Sequence, residues 1–316
     1  MKTKITIGTR KSKLALWQAN YVKLELEKHF PDLTIELKEI STKGDKILDT
    51  PLSKIGGKGL FTKEIEEGLL KKEVDLAVHS LKDLPTKLPD GLKIVAITKR
   101  EKPHDVLIGG KFKDLKSKSR IGTTSLRRVA QLKAFRDDLE YLDLRGNLDT
   151  RIKKLQDGEY DAIIVAYAGI KRLGLENLIS EEFDPKIILP AIGQGAMAIE
   201  IREDDKEIEK IISNINDKST YLSCLAERSF LETLQGNCQT PIGAYSEIKE
   251  DKITLYGLIA SLNGKKIVRN SVSGHLEIYE CKKIGKELGE KLLLNGGRDI
   301  LKEIVETPHW GVSTDI

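Results

Sequence analysis

The sequence predicts an α/β protein with a small α+β unit at its C-terminal end. Short strand-like apolar runs alternate with amphipathic helical stretches from residue 3 to about 200, the pattern of parallel sheets covered by helices. From about residue 217 the pattern changes to one long helix, two strands flanking Asn263-Gly264, and further helices. With 316 residues and 39% hydrophobic content, the chain can bury cores of more than one domain.

Each element has its own signal. Thr3–Thr9 alternates as a strand. A helix follows, with Ser12 as N-cap and Leu14, Trp17, Tyr21 and Leu24 on one stripe. Leu33–Ile40 alternates again. From Ser41 to Gly59 no period survives, and a connection of that length is expected to be a lid or other functional loop. Leu60, Ile65 and Leu69 restart a helix. Asp75–His79 is a short buried strand that cannot continue through Pro85, and Leu92–Thr98 is another.

The charged stretch Lys99–Asp105 predicts a crossing into a second α/β unit. There, Arg120–Thr123 ends a strand, and a helix starts near Ser125 with Leu126, Val129 and Ala130 inward. Leu139–Leu144 is a strand, Leu148, Ile152 and Leu155 mark a helix, and Asp161–Tyr167 is a buried strand. The glycine-rich segment Pro190–Glu200 predicts a second crossing, back to the first unit. In the third unit a helix runs Tyr221–Leu234 toward Gly236. Strands Ile253–Leu262 and Lys266–Ser273 then flank a two-residue hairpin turn. A helix on Ile284, Leu288 and Leu292 follows, and Gly296-Gly297 breaks it before a last short helix. The expected divisions are 1–98 with 196–216, 99–195, and 217–316.

Composition narrows the function classes. The net charge of +4 is the small difference between 53 basic and 49 acidic residues, so no global basic field for nucleic acid exists. Aromatics, at 5%, are not interleaved with basic clusters. The longest apolar run, Ala162–Ala168, falls far short of the ~20 residues that span a bilayer. The N-terminus enters a strand pattern without a signal-peptide core, and Cys224, Cys238 and Cys281 form no CxxC pair; both features point to a reducing cytoplasm. Five histidines show no HExxH or paired spacing, so no metal site is expected.

Cations recur at one kind of position. Arg10, Lys82, Arg127-Arg128, Arg145 and Arg172 follow strand ends or open helices, Arg151 lies one turn into a helix, and Lys54 and Lys58 sit in the long loop. Ligands of open α/β sheets bind outside the carboxyl ends of strands, arginine forks suit carboxylates, and the N–H groups of Gly122-Thr123-Thr124-Ser125 favour anions. Any one of these cations can be a solvated surface charge; their repetition predicts a polyanion site, phosphate or carboxylate. Asp83 is either the partner of Lys82 or the carboxylate that holds a cation in that cleft. Cys224 and Cys281 lie on helices among apolar neighbours, whereas Cys238 lies in a polar loop, where a thiol can serve as an attachment point or simply pack as a small side chain.

Eight ordered segments together resemble the porphobilinogen deaminase family: TRKSKLALWQA (9–19), KIGGKGLFTKE (54–64), AVHSLKDLP (77–85), GTTSLRR (122–128), LRGNLDTR (144–151), GIKRLGL (169–175), LPAIGQGA (189–196) and NCQTPIGA (237–244). Lys13 stands where the family commonly has proline, and Asn237 where it commonly has glycine. The resemblance implies two lobes like type II periplasmic-binding proteins plus a third domain. It also implies a monomeric transferase that joins four porphobilinogen molecules into the linear tetrapyrrole hydroxymethylbilane, releasing ammonia. Growth starts from a dipyrromethane cofactor on a thioether, here on Cys238. By the same resemblance, Lys82, Ser80, Thr123, Thr124, Ser125, Arg127, Arg128, Arg145, Gly146 and Gln194 contact the cofactor. Arg10, Ser12, Lys54, Lys58, Arg151 and Arg172 contact substrate.

In that chemistry the cations match the acetate and propionate that each porphobilinogen brings. Asp83 is then the carboxylate that accepts the pyrrole N–H and stabilises the azafulvenium cation left by ammonia. A solute-binding module of the same two-lobed form would also need a cationic cleft, but not a third domain presenting Cys238. A bound dipyrromethane, seen as excess mass, separates the enzyme from that module and from a nucleic-acid binder.

Overall fold

The computed structural model describes residues 2–46, 59–235 and 240–306. The first segment runs β1 Lys4–Thr9, α1 Lys13–His29, β2 Thr34–Glu39, α2 Lys43–Lys46, α3 Lys63–Leu70, β3 Leu76–Ser80 and β4 Leu92–Ile97. The second runs β5 Asp105–Ile108, β6 Arg120–Gly122, α4 Leu126–Lys133, β7 Glu140–Leu142, α5 Leu148–Gln156, β8 Ala162–Ala166, α6 Tyr167–Arg172 and β9 Glu181–Glu182. Then come β10 Met197–Arg202, α7 Lys206–Ile212, α8 Lys218–Thr233, β11 Ile242–Lys249, β12 Lys252–Ala260, β13 Ile267–His275, α9 Ile278–Leu292 and α10 Arg298–Glu306.

Three sheets organise these elements: β2-β1-β3-β10-β4, β7-β6-β8-β5-β9 and β11-β12-β13. The expected pair of α/β lobes and the small α+β unit are therefore present. In the first sheet β1 runs parallel to β2 and β3, and β10 runs antiparallel to β3 and β4. The second sheet repeats this: β6 is parallel to β7 and β8, while β5 is antiparallel to β8 and β9. The reversed strand in each sheet is the one that arrives from the other lobe, β5 after residues 99–104 and β10 after residues 190–196. The two crossings touch, with Glu101 N–H donating to the Gly195 carbonyl at 3.2 Å. Gly195 has φ +90°, and a Cβ there would collide with the Glu101 carbonyl, so only glycine lets the crossings lie this close.

The structure corrects several sequence expectations. In α1 the buried stripe is Ala15, Gln18, Ala19, Val22 and Leu26, whereas Leu24 is 58% exposed. Both stripes have helical spacing; the one with small residues lets the helix lie close to the sheet. Leu126 and Val129 are half-buried and Arg127 and Arg128 are buried, because these two guanidiniums have a buried acid to pair with. Strands β5, β9 and β11 were not expected, and the end of the Pro190–Glu200 segment is already strand β10. The turn at Asn263-Gly264 is longer than two residues. Only Gly264 has positive φ (+73°), whereas a type I′ hairpin needs two such residues. Instead Gly264 N–H donates to the Ser261 carbonyl at 2.9 Å and Ser261 N–H to the Lys266 carbonyl at 2.8 Å.

Candidate active site

The carboxyl ends of β1, β3, β6 and β8 converge on one cavity of about 430 Å³, lined from the first lobe by Arg10, Ser12, Ser80, Lys82 and Asp83 and from the second by Thr124, Arg128, Arg145, Gly146, Arg151 and Arg172. Sequence reasoning named all eleven. The lining holds eight cationic side chains, Lys11 and Lys13 included, against the three carboxylates Asp45, Asp83 and Asp149.

Local structure explains how each side chain is held. Ser12 caps α1, its hydroxyl accepting from Ala15 N–H at 3.3 Å. Arg10 extends from the end of β1, donates through Nε to Asp45 at 3.1 Å, and lies 4.3 Å from the Phe61 ring centroid. Burial would raise the Asp45 carboxyl, but hydrogen bonds from Arg10 and Thr42 hold it below its ordinary value. Ser80 Oγ accepts from Gln18 Nε2 at 2.8 Å. Beyond it, Leu81–Asp83 form one 3₁₀ turn that swings Lys82 and Asp83 to the cavity. Burial pulls the Lys82 ammonium down to about 8; Asp83 and Asp105 oppose that pull, and Arg128 and Arg127 add to it.

The second lobe supplies most of the arginines. Gly146 has φ +104°, a conformation that lets the chain turn between Arg145 and α5. Arg151 Nε donates to the Gly146 carbonyl at 2.8 Å. Burial draws the Arg151 guanidinium down to about 10, with Arg128 adding to the fall, so it stays charged at neutral pH. Arg172 donates to the Gly195 carbonyl at 2.6 Å and faces the Trp17 ring at 5.7 Å. Burial likewise draws it down to about 10. Asp149 pairs with Lys13 at 3.3 Å and Asp45 with Arg10, while Asp83 has its side chain exposed toward the cavity.

Four expected contact residues, Thr123, Ser125, Arg127 and Gln194, are not among those that line the cavity. Ser125 caps α4, accepting from Arg128 N–H. Thr123 accepts from Ser125 N–H at 3.3 Å. Arg127 turns away from the cavity, donating to Asp105 Oδ2 at 2.7 Å and to the Leu189 carbonyl. Gln194 is buried and donates to Asp105 Oδ1 at 2.9 Å. Lys54, Lys58 and Cys238 lie outside the described residues.

Asp105 is the residue that sequence reasoning missed. It is fully buried, and Arg128 donates to its Oδ1 through Nε at 3.0 Å and Nη2 at 2.7 Å. Burial alone would raise its carboxyl; the Arg127 and Arg128 guanidiniums hold it well below the carboxylate range instead. A signal existed: an aspartate that opens the apolar run Val106-Leu107-Ile108 must bring cations with it, and Arg127-Arg128 are adjacent cations in a helix's first turn.

Two family models match the chain, described as porphobilinogen deaminase, dipyromethane cofactor binding domain, over residues 5–210, and porphobilinogen deaminase, C-terminal domain, over residues 221–294. The chain belongs to the porphobilinogen deaminase family. The porphobilinogen deaminase of Carboxydothermus hydrogenoformans is 50% identical over 307 residues, covering 96% of this chain and 98% of that protein. The one from Chlorobium phaeovibrioides is 49% identical over 312 residues, covering 97% of this chain and all of the relative. A TRAP periplasmic solute binding protein from Desulfovibrio salexigens is a loose structural neighbour, with TM-score 0.41 and 11% identity over 68% of this chain and 73% of its own.

The cavity's donor set suits the family's dipyrromethane cofactor. That group carries acid side chains, which the cations match, and pyrrole N–H groups, which Asp83 can accept. The volume lies in the range of small-molecule sites. Among the described residues no helix is long and apolar enough to cross a membrane, and no three His, Cys, Asp or Glu are grouped to hold a metal ion.

Proposed function

We propose that this enzyme of tetrapyrrole biosynthesis polymerises four porphobilinogen molecules into hydroxymethylbilane, with Asp83 catalytic and a dipyrromethane held as a thioether on Cys238. The observation that carries the reading is a cavity walled by cations from both lobes, in which Asp45 and Asp149 are paired with Arg10 and Lys13 and a third carboxylate, Asp83, is presented beside Lys82. Arg10, Arg128, Arg145, Arg151 and Arg172 bind and orient acetate and propionate groups. Ser12, Ser80 and Thr124 add hydroxyl donors, and Lys82 adds an ammonium. Arg127, Thr123, Ser125 and Gln194 act from behind, by fixing the groups that line the cavity.

Asp83 accepts a pyrrole N–H and offsets the positive charge that spreads over the substrate ring as ammonia leaves its aminomethyl carbon. At ~4 Å and an effective dielectric of ~20 such a pair is worth up to about 4 kcal/mol, or about three decades in rate. The bound dipyrromethane supplies the electron-rich pyrrole from which growth starts. Of the other two thiols, burial pushes Cys224 up to about 12 and Cys281 up to about 11, which keeps both as unreactive thiols. We assign the units as 1–98 with 196–216, 99–195, and 217–316, and place the enzyme in the cytoplasm as a monomer. Lys54 and Lys58 complete the proposed substrate contacts.

Intact-protein mass and ammonia release test this directly. The purified chain is expected to carry the excess mass of a dipyrromethane and to gain further pyrrole units with porphobilinogen. Cys238→Ala is expected to lose the adduct and all turnover, whereas Cys224→Ala and Cys281→Ala keep both. An adduct that survives Cys238→Ala overturns the attachment site; a chain with neither adduct nor ammonia release overturns the function.

A further inference from the structure

We propose that Asp105 is the positioning residue of this site, fixing Arg128 directly and Lys82 through Gln194, and so setting the cavity cations of both lobes from one buried carboxylate. This rests on the function proposed above.

The geometry is a branched chain of hydrogen bonds. Asp105 Oδ1 accepts from Arg128 Nε and Nη2 at 3.0 and 2.7 Å and from Gln194 Nε2 at 2.9 Å. Its Oδ2 accepts from Arg127 Nη1 at 2.7 Å. Arg128 is held at its other edge by Nη1 donating to the Ile164 carbonyl at 2.9 Å, so its guanidinium plane is fixed where it meets the cavity. Gln194 passes the constraint on: its Oε1 accepts from Lys82 Nζ at 3.4 Å, and its Nε2 also donates to the Pro103 carbonyl at 2.6 Å. Asp105 ends the first crossing and Gln194 lies in the second. The carboxylate therefore stands where the two lobes are joined, with Lys82 on one side and Arg128 on the other.

The same placement sets charge. The ionisable groups that act on Lys82 are Asp83 and Asp105 against Arg128 and Arg127. With Asp105 neutralised, two guanidiniums face Lys82 against one carboxylate, and Lys82 gives up its proton at lower pH. A residue that only stabilised the fold would leave that titration where it is.

The test compares wild type with Asp105→Asn, Asp105→Glu and Gln194→Leu. Lys82 is titrated by its rate of acetylation with acetic anhydride, mapped by peptide mass spectrometry across pH, and kcat and KM for porphobilinogen are measured at the same pH values. Asp105→Asn is expected to move the Lys82 midpoint down by about one pH unit and to raise KM about tenfold at pH 8. Asp105→Glu restores most of both. Gln194→Leu keeps the arginine pair and cuts the branch to Lys82 together with the tie to the Pro103 carbonyl; it is expected to raise KM several-fold, and it decides the matter if Asp105→Asn does not fold. An unmoved Lys82 midpoint with unchanged KM, in Gln194→Leu and in whichever Asp105 variants fold, overturns the proposal, even if the melting temperature falls. A wild type without turnover would sink the functional reading instead, and the Lys82 titration would still test Asp105.

Discussion

Asp83 and Lys82 are neighbours in sequence with opposite charges, and one 3₁₀ turn delivers both to the cavity. In the proposed reaction the ammonium attracts carboxylates and the carboxylate offsets a cation that exists only while ammonia is leaving. An amide at position 83 keeps the shape and removes the charge. Asp83→Asn is therefore expected to fold normally and lose about 10³-fold in kcat, in line with ~4 kcal/mol of lost electrostatic stabilisation. Asp83→Glu keeps the charge with altered reach and is expected to retain more turnover. Single-turnover kinetics with intact-mass detection of pyrrole additions measures both, and an Asp83→Asn variant as active as wild type would reduce Asp83 to a surface partner of Lys82.

At the scale of elements, α3 joins the cavity to a buried acidic cluster. Glu66 in its first turn is buried within electrostatic reach of His79 of β3 and Glu200 of β10 in the interior of the first lobe, and His79 Nε2 lies 3.0 Å from Glu200 Oε2. Just before α3, Phe61 lies under Arg10 at the cavity. Burial raises the Glu66 carboxyl; Thr62 and His79 oppose the rise, while Glu200 and Glu64 add to it. A raised carboxyl holds its proton in the folded state to higher pH than in the unfolded state. Its contribution to stability is thus full below the unfolded pKa and is lost as pH rises through the folded one. Glu66→Gln keeps the neutral shape at every pH. Its melting temperature relative to wild type is expected to improve between pH 5 and pH 8, and thermal unfolding at both pH values checks the sign.

Across the whole molecule, one buried ion pair ties the third unit to both crossings. Arg100 meets Glu227 of α8 at 2.7 and 3.1 Å and donates to the Gln194 carbonyl at 2.8 Å. Glu227 also accepts from Gly193 N–H at 2.8 Å and from Ser246 Oγ of β11 at 2.7 Å. Burial would lower the Arg100 guanidinium, yet Glu227 raises it above its ordinary value. Removing one partner of such a pair strands a buried charge, at about 3–5 kcal/mol. Glu227→Gln is expected to destabilise by that amount in urea. The double variant Glu227→Met, Arg100→Met is expected to lose less than the sum of the single losses, because two neutral side chains leave no stranded charge.

Much of this protein is legible in its residues. Alternating periods give the α/β lobes, the change after residue 217 gives the third unit, and the motifs that carry Arg10, Lys82, Asp83, Arg128, Arg145, Arg151 and Arg172 give the cavity, because ligand groups at strand ends are set by local sequence. What stayed hidden depends on partners distant in sequence. The buried stripe of α1 could not be chosen from two stripes of equal period until the sheet beneath selected the smaller side chains. Arg127 and Arg128 read alike as cavity cations, yet Asp105, more than twenty positions earlier, draws one away and pins the other. The short strands β5 and β9, of four and two residues, carry too few residues for a period to show and are strands because a neighbouring strand pairs with them. Spacing along the chain fixes which groups reach the end of a strand; which of them faces the ligand and which is neutralised behind the wall is decided by the burial of charge, and burial is a property of the folded molecule alone.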